Sequence, residues 1–180
     1  MARRSNVRRQ SNLDFRLMSL GFKFRDAVRP RLRILREAGI RPGFHVLDYG
    51  CGPGSYIVPL SGLVGEGGMV YALDVNPLAM RAVQKITAKK QLVNVRPVLS
   101  DCETGLPPDS LDMVLLYDIL HDLSNAGEVL AELHRVLKPV GILSVSDHHM
   151  THEEIESRVT AGGLFRLSQI GQRTCSFLKQ

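Results

Sequence analysis

Three glycines at alternate positions form the strongest chemical feature of the chain. Gly50, Gly52 and Gly54 follow an apolar run at residues 44–48. Glycine permits positive φ angles and leaves bare backbone against which a ligand can lie. Where such a loop leads into a helix, backbone N–H groups without intrahelical partners can bind a polar or anionic group. The segment predicts a nucleotide-binding loop, although the same glycines could serve only a tight turn.

A carboxylate stands where a ribose would be bound. Asp74 ends the next apolar run, at residues 68–73, and lies 20 residues past Gly54. Two carboxylate oxygens can accept hydrogen bonds from both hydroxyls of a ribose. A dinucleotide-binding dehydrogenase would place a further glycine three residues after Gly52, but Ser55 stands there. NAD-dependent oxidoreduction is therefore the less favoured nucleotide function.

Polar side chains also follow two later apolar runs, where a base for proton removal could stand. Residues just past the carboxyl ends of parallel strands face the ligand crevice of such a sheet. Asp118 and His121 are three apart, so on a helical turn Asp118 could orient the imidazole. The candidate catalytic residues are His121, Asp118 and His148, with His149 as a further base; alternatively all of them merely line the pocket. The residues past the two runs are Tyr117, Asp118 and His121, then Asp147, His148 and His149.

Histidine and aspartate near residue 147 could also suggest a metal. Asp147, His148, His149 and His152 lie within six positions of one another. On extended backbone, however, adjacent His148 and His149 would point to opposite sides. We therefore predict no metal site.

The elements that must position these residues alternate between strand and helix. Apolar runs lie at 44–48, 68–73, 93–99, 111–116 and 141–146, and helices are predicted after the glycine loop, at about 76–90 and at 124–137. Asn76 before Pro77 predicts a helix start, and Thr151 with Glu154 resembles a capping box. Residues 164–170 and 173–178 predict a closing hairpin. Continuous apolar strands between helices predict an α/β fold with a parallel sheet covered on both faces and one final antiparallel strand.

Composition fits one soluble domain, and charge is unevenly distributed. The 180 residues are 44% hydrophobic and 23% charged, with no apolar stretch long enough to span a membrane. Three cysteines without metal spacing favour a reducing cytoplasm. Residues 1–41 carry 12 basic and 3 acidic side chains, a net charge of +9, whereas the remainder carries −4. This basic segment could attract nucleic acid or an acidic surface, but no aromatic residues interleave with its first arginines.

The chain divides into three predicted regions. Residues 1–11 form a disordered basic arm. Residues 12–39 form helices that end at Gly39 and could cover the substrate. Residues 40–180 hold the nucleotide-binding domain. The apolar face of the first helix comprises Leu13, Leu17, Leu20, Phe24 and Val28.

Taken together, four segments resemble the class I S-adenosylmethionine-dependent methyltransferases of the small prokaryotic type. Residues 46–54 resemble the family's glycine-rich first motif, and residues 70–74 resemble its second. Residues 100–102 and 106–114 resemble the adenine-binding stretch and fourth strand. Residues 132–141 resemble the R-x-L-K-P-G-G turn, with Val140 where glycine is usual. The resemblance implies a doubly wound, seven-stranded, mostly parallel Rossmann-like sheet with a C-terminal antiparallel hairpin and N-terminal helices.

The same resemblance implies S-adenosyl-L-methionine as cofactor and assigns its contacts. The glycine loop would wrap the methionine moiety and ribose, Asp48 would reach the ammonium, and Asp74 would accept the ribose hydroxyls. Val75 would flank the adenine, Asp101 and the Cys102 N–H would contact its edge, and Tyr117 would line the methionine end. The implied cofactor-binding set is Asp48, Gly50, Cys51, Gly52, Gly54, Asp74, Val75, Asp101, Cys102 and Tyr117.

The implied activity is methyl transfer by in-line displacement to an unidentified acceptor. A small molecule is favoured, quinone rings and a protein acceptor stay open, and thiol-dependent chemistry is disfavoured because Cys51, Cys102 and Cys175 should not converge. The competing class is a non-catalytic module that binds S-adenosylmethionine as a sensor or scaffold.

Overall fold

The computed structural model describes residues 31–180 as strands alternating with helices. The predicted basic arm at 1–11 and residues 12–30 of the predicted helical segment at 12–39 lie outside the described residues. The helices are α1 (Arg31–Glu37), α2 (Ile57–Val64), α3 (Pro77–Lys90), α4 (Ala126–Val136) and α5 (His152–Thr160), with a short 3-10 helix (Leu120–Asp122). The strands are β1 (His45–Tyr49), β2 (Met69–Asp74), β3 (Val95–Leu99), β4 (Leu111–Tyr117), β5 (Leu137–Ser146), β6 (Phe165–Ile170) and β7 (Cys175–Lys179).

The seven strands form one sheet in the order β3-β2-β1-β4-β5-β7-β6. β1 pairs in parallel with β2 and β4, and the parallel pairing extends to β3 on one side and β5 on the other. β7 alone runs antiparallel, inserted between β5 and β6. The predicted seven-stranded, mostly parallel sheet with a C-terminal hairpin is confirmed. Strand order reverses between β1 and β4, and in open α/β sheets ligands bind at such a switch point.

Helices cover the sheet on both faces, as the continuous apolar strands predicted. Successive strand side chains point to opposite faces. Val46 and Leu115 pack with α1, α2 and α3 in one core, whereas Leu47 and Leu116 pack with α4 and α5 in the other. This doubly wound arrangement leaves the carboxyl ends of the parallel strands as the edge at which a ligand can enter.

Two helix starts follow directly from local sequence. The Asn76 side chain accepts a hydrogen bond from the Leu78 N–H at 2.9 Å, and Pro77 occupies the first turn of α3. Thr151 and Glu154 form the predicted capping box, each side chain bonding the other's backbone N–H. Both caps fix where a helix leaves the ligand edge of the sheet.

The turn into β5 accommodates Val140 in place of glycine. β5 begins at Leu137, four residues earlier than the sequence predicted, and the Val140 side chain is 83% exposed. The neighbouring Gly141 is the crowded position, because a Cβ there would lie 2.9 Å from the Leu137 side chain and 3.0 Å from the Leu111 carbonyl oxygen. Substitution of the usual glycine at 140 therefore leaves the turn intact.

A partly exposed hydrogen-bond cluster joins α1 to the turn between β6 and β7. Glu37 Oε1 accepts from the N–H of Arg173 at 2.8 Å and from the N–H and hydroxyl of Thr174, both at 2.9 Å. Burial raises the pKa of Glu37, but these donors outweigh burial and hold its pKa below the usual value. These bonds fix α1 against the turn between β6 and β7, although Glu37 and Arg173 are 136 residues apart in sequence.

No helix within residues 31–180 is both long enough and apolar enough to cross a membrane.

Candidate active site

The glycine loop between β1 and α2 is built on left-handed backbone. Gly50, Gly52 and Gly54 have φ angles of +75°, +53° and +89°, a region in which other residues are strained. A Cβ at Gly50 would lie 3.0 Å from the Ile119 side chain, whereas a Cβ at Gly52 would meet nothing within 4 Å. The loop therefore packs tightly at its start and opens onto empty space at Gly52.

Asp74 fastens the loop to the end of β2. Its Oδ2 accepts from the Gly52 N–H at 2.9 Å, and its Oδ1 accepts from the Asn76 N–H at 2.8 Å. Burial raises the pKa of Asp74, and these backbone donors partly oppose that rise. Each carboxylate oxygen can accept a further bond, so Asp74 can position the loop and still accept ribose hydroxyls.

Asp48 presents a buried oxygen that has no hydrogen-bond partner among the described residues. It lies at the end of β1 with 2% of its surface exposed, and the unpartnered atom is Oδ2. Burial and the nearby Asp74 charge raise the pKa of Asp48 to about 7, and Arg31 opposes that rise. An unpartnered buried acceptor destabilises a fold. The oxygen is suited to a cationic donor such as a ligand ammonium.

The predicted adenine contacts lie along the same edge, next to β2 and β3. Val75, directly after Asp74, is 45% exposed, as a residue that covers a flat ring would be. Tyr49, at the end of β1, donates its hydroxyl to the Asp101 carbonyl at 2.9 Å. The Cys102 N–H makes a 3.4 Å bond to the Ser100 hydroxyl. Tyr49 thus fixes the loop of the two predicted adenine residues, a role that sequence alone did not reveal.

Two aspartate–histidine pairs cross between the ends of β4 and β5. His121 Nδ1, after β4, lies 2.8 Å from Asp147 Oδ2, after β5. His148 Nδ1, after β5, lies 2.8 Å from Asp118 Oδ1, after β4. The backbone N–H of each histidine also donates to the same carboxylate oxygen. Each ring is therefore held by the opposite strand end.

This arrangement corrects the expectation that Asp118 orients His121. Asp118 lies before the 3-10 helix with a φ of +54°, so it shares no helical face with His121. Its left-handed backbone turns the carboxylate toward His148 instead. Strained non-glycine backbone often occurs at functional sites. Asp147, which is 6% exposed, is the residue that holds His121.

The backbone at His148 and His149 is not extended, so these residues do not point to opposite sides as the sequence predicted. Residues 147–150 form a turn rather than extended backbone, and the His148 and His149 rings lie 3.8 Å apart instead of pointing oppositely. The His121 ring lies 4.3 Å from that of His149. Three imidazoles therefore gather at one corner of the candidate site.

One group of side chains is compact enough to share a metal ion. The possible ligand atoms of Asp118, Asp147 and His148 all lie within 4.8 Å of one another. Their oxygens, however, already accept backbone N–H groups, including that of His149 on Asp147 Oδ1 at 3.0 Å. Burial raises the pKa of Asp147, but the His121 ring and these backbone donors together outweigh burial and lower it. These contacts are hydrogen-bonded pairs that need no metal ion. The absence of a metal site, predicted from the sequence, stays a prediction.

Tyr117 lies beneath the site. It is 5% exposed, and its hydroxyl lies 2.9 Å from that of Ser144. Its ring packs edge-on against Tyr56 at 5.4 Å, just past the glycine loop. The predicted role of Tyr117 at the methionine end therefore stays a prediction. The three cysteines are free, with Cys51 and Cys175 in the two separate cores.

Comparison with known proteins fits this geometry. The sequence model of a family described as "Methyltransferase domain" matches residues 40–172. The chain belongs to this methyltransferase family. A solved S-adenosylmethionine-dependent methyltransferase from Aquifex aeolicus is 26% identical, with a TM-score of 0.78 over 91% of this chain and 95% of that one. S-adenosylmethionine is accordingly the family's cofactor, and the open backbone at Gly52 and the unpartnered Asp48 oxygen fit it.

Curated relatives share the methyltransferase assignment. The ubiquinone/menaquinone biosynthesis C-methyltransferase UbiE of Marinomonas sp. is 32% identical over 74% of this chain and 54% of its own length. The demethylmenaquinone methyltransferase of Geobacillus stearothermophilus is 29% identical over 69% of this chain and 54% of its own. The chain thus spans about half the length of these relatives.

Proposed function

We propose that the protein transfers a methyl group from S-adenosylmethionine to a small-molecule acceptor. The observation that carries this proposal is the position of the open glycine loop relative to the histidine pairs. Both lie at the carboxyl edge of the sheet, with the loop after β1 at the β1–β4 switch point and the histidine pairs after the neighbouring strands β4 and β5. In-line displacement needs donor and acceptor aligned in such a crevice.

The cofactor would be bound by the residues predicted from sequence. Gly52 leaves space for the cofactor, Asp74 would accept the ribose hydroxyls, and Asp48 would accept from the ammonium. Gly50, Cys51 and Gly54 would shape the loop, while Val75, Asp101 and Cys102 would contact the adenine. When bound, the cofactor supplies an electrophilic methyl group on a sulfonium.

His121 would remove the proton from the molecule that accepts the methyl group. A hydrogen bond from its Nδ1–H to Asp147 leaves Nε2 as the acceptor. As the acceptor atom forms its bond to the methyl carbon, the bond from that carbon to the sulfonium sulfur would break to leave a thioether, and the acceptor's proton would pass to Nε2. His148, held by Asp118, would assist as a second base or bind the acceptor. Asp147 and Asp118 would act as positioning residues that hold the rings.

The acceptor class that fits is a small molecule whose attacking oxygen or carbon carries a removable proton. The named activities of the UbiE and demethylmenaquinone relatives suggest a quinone-type ring. Methylation chemistry that depends on the protein's own thiols lacks support, because Cys51 and Cys175 lie in separate cores on opposite faces of the sheet. Protein acceptors, nucleic acid contacts through the basic segment, and the cytoplasmic location remain predictions from sequence.

Transfer of a radiolabelled methyl group from S-adenosylmethionine to a panel of hydroxylated aromatic and quinol compounds tests the proposal. We expect label in at least one small-molecule product, and turnover that survives removal of metal by a chelator. Tight cofactor binding with no transfer to any member of the panel, or to protein extracts, would favour the non-catalytic binding module instead.

A further inference from the structure

The segment that forms α3 and β3 carries positive charge without any acidic residue. Between Asp74 and Asp101 the chain has five basic side chains and no acidic one. The rest of residues 31–180 carries 10 basic and 16 acidic side chains, a net charge of −6. All five basic side chains are exposed, and none forms an ion pair with another described residue. They are Arg81, Lys85, Lys89, Lys90 and Arg96.

Three of these cations form a row along the helix. Arg81, Lys85 and Lys89 are four residues apart, so they share the side of α3 that faces away from its buried residues. Cations in the last turn, such as Lys89 and Lys90, interact favourably with the helix dipole. Arg81 and Lys85 lie outside that turn, and like charges four residues apart destabilise a helix. The basic row therefore lowers the stability of α3, and an anionic partner would relieve its repulsion.

An apolar residue is presented just beyond the end of this row, in the loop from α3 to β3. The Val93 side chain is 87% exposed and follows Lys90 by three residues. The loop is fixed by the buried Asn94 amide, which donates to the carbonyls of Ser61 at 3.1 Å and Gly65 at 2.8 Å. Val93 is therefore a firmly held apolar tip and not part of a loose connection.

Cations next to an exposed apolar residue fit the surface of an anionic lipid bilayer. Anionic headgroups attract lysine and arginine, and an apolar side chain can enter the boundary between headgroups and acyl chains. Single-stranded nucleic acid would instead favour aromatic side chains on which its bases stack. Residues 75–100 contain no Phe, Tyr or Trp. The composition of this surface therefore favours lipid over nucleic acid.

We propose that the basic row and Val93 form a docking surface for an anionic lipid bilayer. The row lies on the outer side of α3, away from the residues that the helix buries against the sheet. The proposal does not rest on methyl transfer, so the two can fail separately. It also assigns the attraction to α3 and not to the basic segment at residues 1–41.

Sedimentation of the full-length protein with phosphatidylcholine vesicles, prepared with and without phosphatidylserine, tests the charge of this surface. Lys85→Gln/Lys89→Gln removes two cations from the row, and glutamine preserves helix propensity. Arg166→Gln/Arg173→Gln is the matched control, because it removes two exposed cations on β6 and in the turn after it, at the sheet edge opposite to β3.

We expect the wild type to bind only the vesicles that contain phosphatidylserine, and to bind them less tightly as salt is added. Lys85→Gln/Lys89→Gln should lose about tenfold or more in affinity, since each cation near such a surface contributes about fivefold. The control pair should bind as the wild type does. The Tm of Lys85→Gln/Lys89→Gln should be at least that of the wild type, because like-charge pairs are removed.

A second pair of variants tests the apolar tip. Val93→Ser should weaken vesicle binding about threefold or more, because an apolar side chain no longer enters the boundary with the acyl chains. Val140→Ser is its control, since Val140 is 83% exposed in the turn into β5, three strands from β3. Equal binding by the two valine variants would show that the tip does not enter the bilayer and would overturn its part in the docking surface.

Equal binding by the wild type and Lys85→Gln/Lys89→Gln would overturn the proposal and transfer the attraction to the basic segment at residues 1–41. Equal binding to both kinds of vesicle, or binding to neither, would overturn it as well. A single-stranded RNA is the final probe. Loss of RNA affinity in Lys85→Gln/Lys89→Gln, without any binding of vesicles by the wild type, would assign the row to nucleic acid instead of lipid.

Discussion

The imidazole of His121 is fixed by a carboxylate that lies 26 residues away in sequence, on Asp147. Asp147 Oδ2 accepts from the backbone N–H of His121 at 3.1 Å and lies 2.8 Å from its Nδ1. The aspartate side chain is fully buried, whereas that of the histidine is 25% exposed. One end of the ring is therefore held inside the protein, while the other can reach a ligand.

His121→Ala should lower methyl transfer by roughly 100-fold while cofactor affinity stays unchanged, if Nε2 takes the acceptor proton. Asp147→Asn should lower kcat about tenfold or more, because the imidazole loses the carboxylate that holds it. Glu66→Gln is the control, because Glu66 is exposed and lies before β2, at the edge of the sheet opposite the candidate site. Normal turnover by His121→Ala, His148→Ala and His149→Ala would leave positioning and desolvation as the whole of catalysis.

Asp74→Ala should weaken S-adenosylmethionine binding by about 2 kcal/mol or more, because charge-assisted hydrogen bonds to the ribose are lost. Part of that loss would come from the glycine loop, since Asp74 also accepts from Gly52. Asp74→Asn preserves the shape of the side chain and should weaken binding less. Calorimetry on both variants, with circular dichroism to check the fold, makes the comparison. Wild-type affinity in a folded Asp74→Ala protein would refute the ribose assignment.

Asp48→Asn should stabilise the cofactor-free protein at high pH and weaken its binding of S-adenosylmethionine. Burial raises the folded-state pKa of Asp48 to about 7 from 3.8, so the wild type loses stability as pH rises through this interval. The variant carries no such titrating group. Its Tm advantage should therefore be larger at about pH 8 than at about pH 5. A constant difference across that range would contradict a buried, titrating Asp48.

Glu37→Ala should lower stability by about 1 kcal/mol or more, because the Arg173 and Thr174 donors lose their acceptor. That corresponds to a Tm lower by about 2–4 °C. The folded-state pKa of Glu37 is lowered, so this stabilisation is present above the usual carboxyl pKa and is lost as pH falls below it. Thermal unfolding should show the difference at neutral pH and little of it in acid. Glu66→Ala, at an exposed site, should match the wild type throughout.

Local sequence signals were sufficient for much of the fold and for placing Asp74 next to the glycine loop. The Asn76 and Thr151 caps act within four residues, and the spacing from the glycine loop to Asp74 reflects one strand–helix–strand unit. The mostly parallel seven-stranded sheet and its antiparallel C-terminal hairpin followed from apolar runs and the family resemblance. Interactions over short distances along the chain are the ones that residue spacing can encode.

The acceptor side was less predictable because its contacts span long sequence distances. Asp118 lies three residues from His121 but pairs with His148, 30 residues away. The left-handed backbone at Asp118 and the turn at 147–150 decide that pairing, and neither has a glycine to mark it. The contacts from Tyr49 to Asp101 and from Arg31 to Tyr56 likewise depend on packing between elements.

Titration of the wild-type protein with S-adenosylmethionine is the most direct test of the central claim, a cofactor site between Gly52, Asp48 and Asp74. We predict saturable binding at one site per chain, competition by S-adenosylhomocysteine, and a marked loss of affinity in Asp74→Ala. Absence of saturable binding by folded wild-type protein at millimolar cofactor would contradict the account.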